Sequence, residues 1–277
     1  MLKVIDIDSL FDKYIEGYVY KSVGKQSVEE IENNIPVLYA SFGKEKLKEL
    51  DGKSPEEYYK NYSASELLEC LKKHVEQRVS VPDFLYESIR EGDSEEEIKK
   101  LVKTSEDEEF TLYLLNLVSD MQIKGLGKRL LEFVTFDYGE PIAELSAEIL
   151  GESADEVKTE ILEIFNTASE QRKPLLLEVL SKATKSDEIF DILIAQFVAH
   201  LDNVPLYASY LSKYGDERAL PFLQTAIESE KINYADFEEL RFAIEALGGT
   251  CNVTRDFSND KVYKAIKKNA EKNTKLS

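Results

Sequence analysis

Tryptophan is absent from this 277-residue chain, and cysteine, histidine and methionine occur twice each. Without tryptophan there is no Trp-bearing aromatic cleft of the kind many base- and sugar-binding sites use. Two cysteines, Cys70 and Cys251, are too few for a disulfide framework and fit a reducing compartment, so a cytoplasmic protein is expected. Two histidines, His74 and His200, leave few choices for a general base, and no His/Cys or Ser/His/Asp set can be assembled from spacing. Twelve glycines and seven prolines are few, which counts against a sandwich or barrel built on many tight turns. No apolar run reaches the ~18 residues of a membrane span, and Met1–Leu10 has no basic segment leading into an apolar one, so neither a span nor a secretory signal is expected.

Charge, by contrast, is abundant and one-sided. The formal net charge is −19, with 53 acidic against 29 basic residues up to position 260 and six basic against one acidic beyond it. An acidic body repels a polyanion, so duplex nucleic acid is not an expected partner. Its two readings are a solvated surface and a face for a basic protein.

From residue 106 onward, apolar side chains recur at i, i+3, i+4 and i+7, which predicts helices over 106–121, 125–136, 141–151, 154–168, 173–182, 187–201, 204–213, 217–229 and 236–247. Ser153 and Ser186 stand where an N-cap would, and Pro141, Pro174 and Pro205 near helix starts, where a missing N–H costs little. The first hundred residues are less regular, with helices predicted at 9–20, 36–50, 55–59, 64–78, 83–91 and 95–103 and with Ser54, Ser63 and Ser94 as caps. Acidic, serine-bearing breaks suggest a division near Thr104. This yields an irregular helical region 1–104, helical repeats 105–258, and a capping helix with a basic tail over 259–277. In that last stretch Lys261, Lys264, Lys267, Lys268, Lys272 and Lys275 follow near-helical spacing beside Val262, Tyr263 and Ile266.

Helix pairs starting near 140, 170, 203 and 232 recur every 29–33 residues, a period that points to stacked units, with a compact bundle of separate hairpins as the alternative. The run Tyr214-Gly215-Asp216-Glu217-Arg218-Ala219-Leu220-Pro221-Phe222-Leu223-Gln224-Thr225-Ala226-Ile227, followed by Leu240-Arg241-Phe242-Ala243-Ile244-Glu245-Ala246-Leu247-Gly248, resembles one HEAT repeat of the phycobilisome-lyase type. Gly215 permits the turn, Asp216 caps, Leu220, Leu223 and Ile227 form the buried stripe, and Ala243, Ala246 and Leu247 allow close approach before Gly248. The upstream segments lack the Gly-Asp-x-Arg-Ala turn. The resemblance covers the C-terminal half and implies an all-α, armadillo-like superhelix whose concave face binds a protein or peptide. Chromophore lyases and DNA glycosylases share such folds, so an enzyme or enzyme subunit is the other reading, and self-assembly through exposed solenoid ends a third.

Candidate chemistry is sparse. Cys70 and His74 lie four apart near Glu66 and Glu69, a spacing that offers a metal two ligands, but a second pair is missing and a surface histidine beside a packed cysteine explains it. Asp6, Asp8 and Asp12 resemble a cation cluster, yet helical sequence follows and Asp8 reads better as an N-cap. Gly125-Leu126-Gly127-Lys128-Arg129 has neither dinucleotide nor P-loop spacing and reads as a turn into a basic first helical turn. His200 closes an apolar run and is expected at a helix C-terminus. Tyrosines cluster at Tyr14, Tyr18 and Tyr20 and at Tyr58, Tyr59 and Tyr62, as core or as contact surface. No catalytic, cofactor or metal residue is assigned, and no cofactor is expected.

Overall fold

Helices begin where the chain supplies an acceptor for otherwise unpaired N–H groups. In the computed structural model, which describes residues 2–22 and 27–274 (the side chains of 21, 22 and 270–274 excepted), all regular structure is helical. Ser27, Ser63 and Asn233 each close a capping box, Asp107 accepts from Phe110 N at 2.7 Å, and Ser186 from Ile189 N at 3.3 Å. Ser153 makes no side-chain cap bond, and the Ser94 hydroxyl turns back to Ile89 O at 2.7 Å. Asp6 rather than Asp8 caps the first helix, accepting from Ser9 N at 2.9 Å.

Two compact units result, Met1–Arg129 and Leu130–Ser277. The first holds α1 (Ile7–Ser22), α2 (Val28–Asn33), α3 (Ile35–Phe42), α4 (Pro55–Tyr58), α5 (Ala64–Glu76), α6 (Asp83–Glu91), α7 (Glu95–Thr104) and α8 (Glu108–Asp120). Helix α5 lies at its centre, against α6, α7 and α8. The sequence suggested a division near Thr104, but there α7 turns into α8 and the two helices pack together. The helix read over 36–50 ends at Phe42. A Cβ on Gly43 would stand 3.0 Å from both Phe84 and Glu56, and the chain turns on through Asp51 (φ 55°) and Gly52 (φ 79°). Helix α2 was not foreseen, although Ser27-Val28-Glu29-Glu30 is a readable capping box.

Helix α9 (Gly127–Thr135) spans the join between the units. The second unit continues with α10 (Glu140–Gly151), α11 (Ala154–Phe165), α12 (Lys173–Leu180), α13 (Asp187–Ala199), α14 (Val204–Tyr214), α15 (Leu220–Ile227), α16 (Tyr234–Ala246) and α17 (Lys261–Thr274). Helix α10 packs on α12, α12 on α14 and α14 on α16, while α11, α13 and α15 each pack on the helix that follows. The periodic starts at 140, 170 and 203 would have paired α12 with α13 and α14 with α15. A period determines spacing but not phase, and the observed pairs are shifted by one helix, into the phase of the run over 214–248, which sets α15 against α16. Helices α12 and α14 are walled in so completely that Lys213 is their single exposed residue. Leu176, Leu177, Val179 and Leu180 are wholly buried, each contributing roughly 1.5–3 kcal/mol.

Polar bonds tie turns of this unit to one another across about thirty residues. Thr184 N donates to Asp155 at 2.9 Å, Lys185 Nζ to Gly215 O at 2.5 Å, Ser186 N to the Tyr214 hydroxyl at 2.6 Å and Arg218 to Asp187 at 2.7 Å. Gly215 (φ 71°) ends α14 in the left-handed conformation, at the turn the sequence anticipated, and Gly248 (φ 80°) has the positive φ expected of it. Ala246, by contrast, is exposed and Leu247 only half-buried, so close approach on α16 rests on Ala243. Among the described residues no helix is long and apolar enough to cross a membrane.

Candidate functional site

Cys70 and His74 share the inner face of α5, and neither reaches solvent. His74 was expected at the surface. It is buried because the chain reverses directly after α5, with Arg78 at φ 54° and Val79 N donating back to His74 O at 2.9 Å. The reversal sets Ser80 O 2.8 Å from His74 Nδ1, and because a carbonyl only accepts, Nδ1 carries the proton. Nε2 is buried without a partner. Burial holds His74 below the ordinary imidazole value, against the opposing pull of the Ser80 and Val79 carbonyls and of Asp6 and Asp8. Burial also pushes the Cys70 thiol up to about 11, so thiolate is scarce at neutral pH. Glu66 is engaged by Ser63 and Glu69 by Lys73 at 3.1 Å. Among the described residues no three His, Cys, Asp or Glu side chains gather as a metal site.

The other sequence-marked residues also separate into structural roles. Asp6 caps α1, Asp8 accepts from the Ser80 hydroxyl at 2.5 Å, and Asp12 is exposed. Gly125 (φ 83°) makes the turn before α9, and Arg129 Nε reaches Val102 O at 3.3 Å. Tyr58 and Tyr59 are core, Tyr14 stacks on Phe11 and tilts against Phe42, the Tyr18 hydroxyl accepts from Asn34, Tyr62 packs on Tyr58, and Tyr20 is exposed. His200 follows the last residue of α13, its Nδ1 donating to Gln196 O at 2.9 Å and its ring stacked 4.6 Å from Tyr207.

A groove of about 470 Å³ at the end of the second unit brings together residues that the sequence named in separate contexts, Arg241, Glu245, Cys251 and Tyr263, with others, Arg255 and Phe257 among them, that it did not mark. After α16 the chain runs without regular structure through 247–260 before entering α17. Arg255 anchors this strap. Its guanidinium donates to Ser229 O at 2.8 Å and to the Ile227 and Glu228 carbonyls at 3.3 Å, closing the C-terminal end of α15. The same group lies 5.8 Å from the Phe237 ring and 5.9 Å from Phe257. Phe257 is thereby seated 5.3 Å from Tyr234 and 5.1 Å from Phe237, and Tyr263 from α17 meets Tyr234 edge-on at 5.0 Å. One rim carries Arg241 paired with Glu238, together with Glu245; the other carries Asp256, whose carboxylate accepts from Ser258 N and is held below its usual range chiefly by that bond. Both arginines are engaged within the protein, whereas Glu245 makes no ion pair among the described residues. The groove therefore offers aromatic faces under a net negative rim.

Comparison with protein-family models, with curated proteins and with solved structures finds no match. Roles therefore follow from geometry alone. The sequence signals for this site were Arg255 and Phe257 in the stretch between α16 and α17, and Tyr263 on the apolar side of the tail helix.

Proposed function

We propose that α10–α16 are HEAT-like repeats stacked as a solenoid and that the chain is a scaffold holding a protein or peptide segment in the groove behind α16. The alternating neighbour order of the helices and the turn-to-turn bonds about thirty residues apart support the repeat reading. The groove carries the binding reading: aromatic faces held rigid by Arg255, beside carboxylates with no basic partner to spare. Such a site suits an extended segment that lays an apolar or aromatic side chain on Phe257 and Tyr263 and points a lysine or arginine at Glu245 and Asp256.

Panning a random peptide library against the whole chain tests this. Enriched peptides should combine basic and aromatic residues, and calorimetry should show their affinity falling by about tenfold or more for Glu245→Lys or Tyr263→Ala, the scale expected where an anchoring contact is lost. No enrichment, or binding indifferent to both substitutions, overturns the proposal.

A further inference from the structure

Helix α17 packs on α16 through Tyr263, with Val262 half-buried beside it. At 100° per residue, Val262, Tyr263 and Ile266 share one side of the helix, and Lys261, Lys264 and Lys268 form a stripe on the opposite side. All three lysines are exposed, and none meets a carboxylate among the described residues; Lys264 reaches only Asn259 O at 3.5 Å. Of Lys272 only the backbone is described, and Lys275 lies outside the described residues.

A stripe of opposite sign and matching length runs along α11. Glu156, Glu160 and Glu163 are exposed at i, i+4 and i+7, and the single lysine of that helix, Lys158, is taken by Asp155 at 2.8 Å. Like charges one turn apart destabilise a helix, so α11 carries a cost that a partner's cations would relieve. Both stripes run over seven residue steps, about 10 Å at the helical rise. Helix α10 also bears Glu140, Glu144 and Glu148, but Glu140 is drawn to Arg172 at 3.4 Å, leaving α11 as the better match.

We propose that Lys261, Lys264 and Lys268 of one molecule dock along Glu156, Glu160 and Glu163 of a second copy. The donor and acceptor helices differ, so the contact is heterologous and joins molecules head to tail. A single helix-on-helix contact is small, so the association is weak, rapidly exchanging and driven by charge. A membrane surface is the poorer occupant: Tyr263 and Val262, apolar side chains that would enter a bilayer, are half-buried on the side of α17 that packs on α16.

Sedimentation velocity of the full chain over about 10–500 µM reads this out, the range in which weak interfaces populate. In about 20 mM salt the weight-average mass should rise with concentration. In about 300 mM salt, where the screening length shrinks to roughly 6 Å, association should weaken by about tenfold or more. The triple variant K261E/K264E/K268E should stay monomeric, as should E156K/E160K/E163K, and an equimolar mixture of the two should associate again. Circular dichroism melts of each variant establish that the fold is intact, and the milder pair K264A/K268A should weaken association without abolishing it. A chain that is monomeric throughout, a lysine triple that associates normally, or a glutamate triple that still associates with wild-type affinity overturns the proposal. So does flotation of the wild-type chain with phosphatidylserine vesicles in the absence of self-association.

Discussion

His74 is a neutral imidazole sealed inside α5, with Nε2 facing no donor. Its folded pKa lies below the unfolded one, so as pH falls the unfolded chain takes the proton first. The stability His74 contributes is complete above the ordinary histidine value of about 6.5 and is lost as pH falls from there through the folded value. Chemical denaturation at successive pH values should show this slope, and His74→Gln should flatten it. Packing is the other residue-scale determinant. Leu223→Ala and Leu240→Ala, both at wholly buried positions, should each cost roughly 2–5 kcal/mol in thermal melts, because neighbouring helices cannot collapse into the cavity. Leu247→Ala should cost less, since that side chain keeps part of its surface in water. Leu223 was legible from the sequence because its stripe repeats every helical turn. The burial of His74 was not, because it depends on a left-handed arginine at position 78, a conformation no local pattern announces.

At the scale of elements, the helices of the second unit were visible as periodic segments with prolines near their starts, and the phase of their pairing was legible at α15 and α16, from the run over 214–248, but not upstream, where that turn is missing. The groove was hidden for a related reason. Arg255 bonds to carbonyls 26–28 residues upstream, and Phe257 is held by the Tyr234 and Phe237 rings of α16, so neither contact leaves a trace at short spacing. Arg255→Ala should release the strap and destabilise the unit by about 1.5–3 kcal/mol, the range for hydrogen bonds to a charged group. Arg255→Lys should recover little of that loss, because a single ammonium cannot reach three carbonyls and cover two rings. Melting curves of both variants, with hydrogen exchange of the strap and the first turn of α17, check this: exchange should accelerate at Phe257 and Tyr263 before the α10–α12 core is affected.

For the whole molecule, far-UV circular dichroism should be dominated by helix, and a strand fraction above about 15% would contradict the all-α architecture. What organises the second unit is that its polar ties are all short in sequence: 29 residues from Thr184 to Asp155, 30 from Lys185 to Gly215 and 31 from Arg218 to Asp187. No closure of a long loop stands between one helix pair and the next, so low contact order predicts rapid folding of this unit. A ribosome delivers roughly 5–20 residues per second, so each added pair takes a few seconds to emerge, far longer than helices need to form and dock. The helix pairs can therefore settle in the order in which they are made, each finding its partner already in place, and the strap that carries Arg255 arrives after α15 and α16, to close an end that is already built.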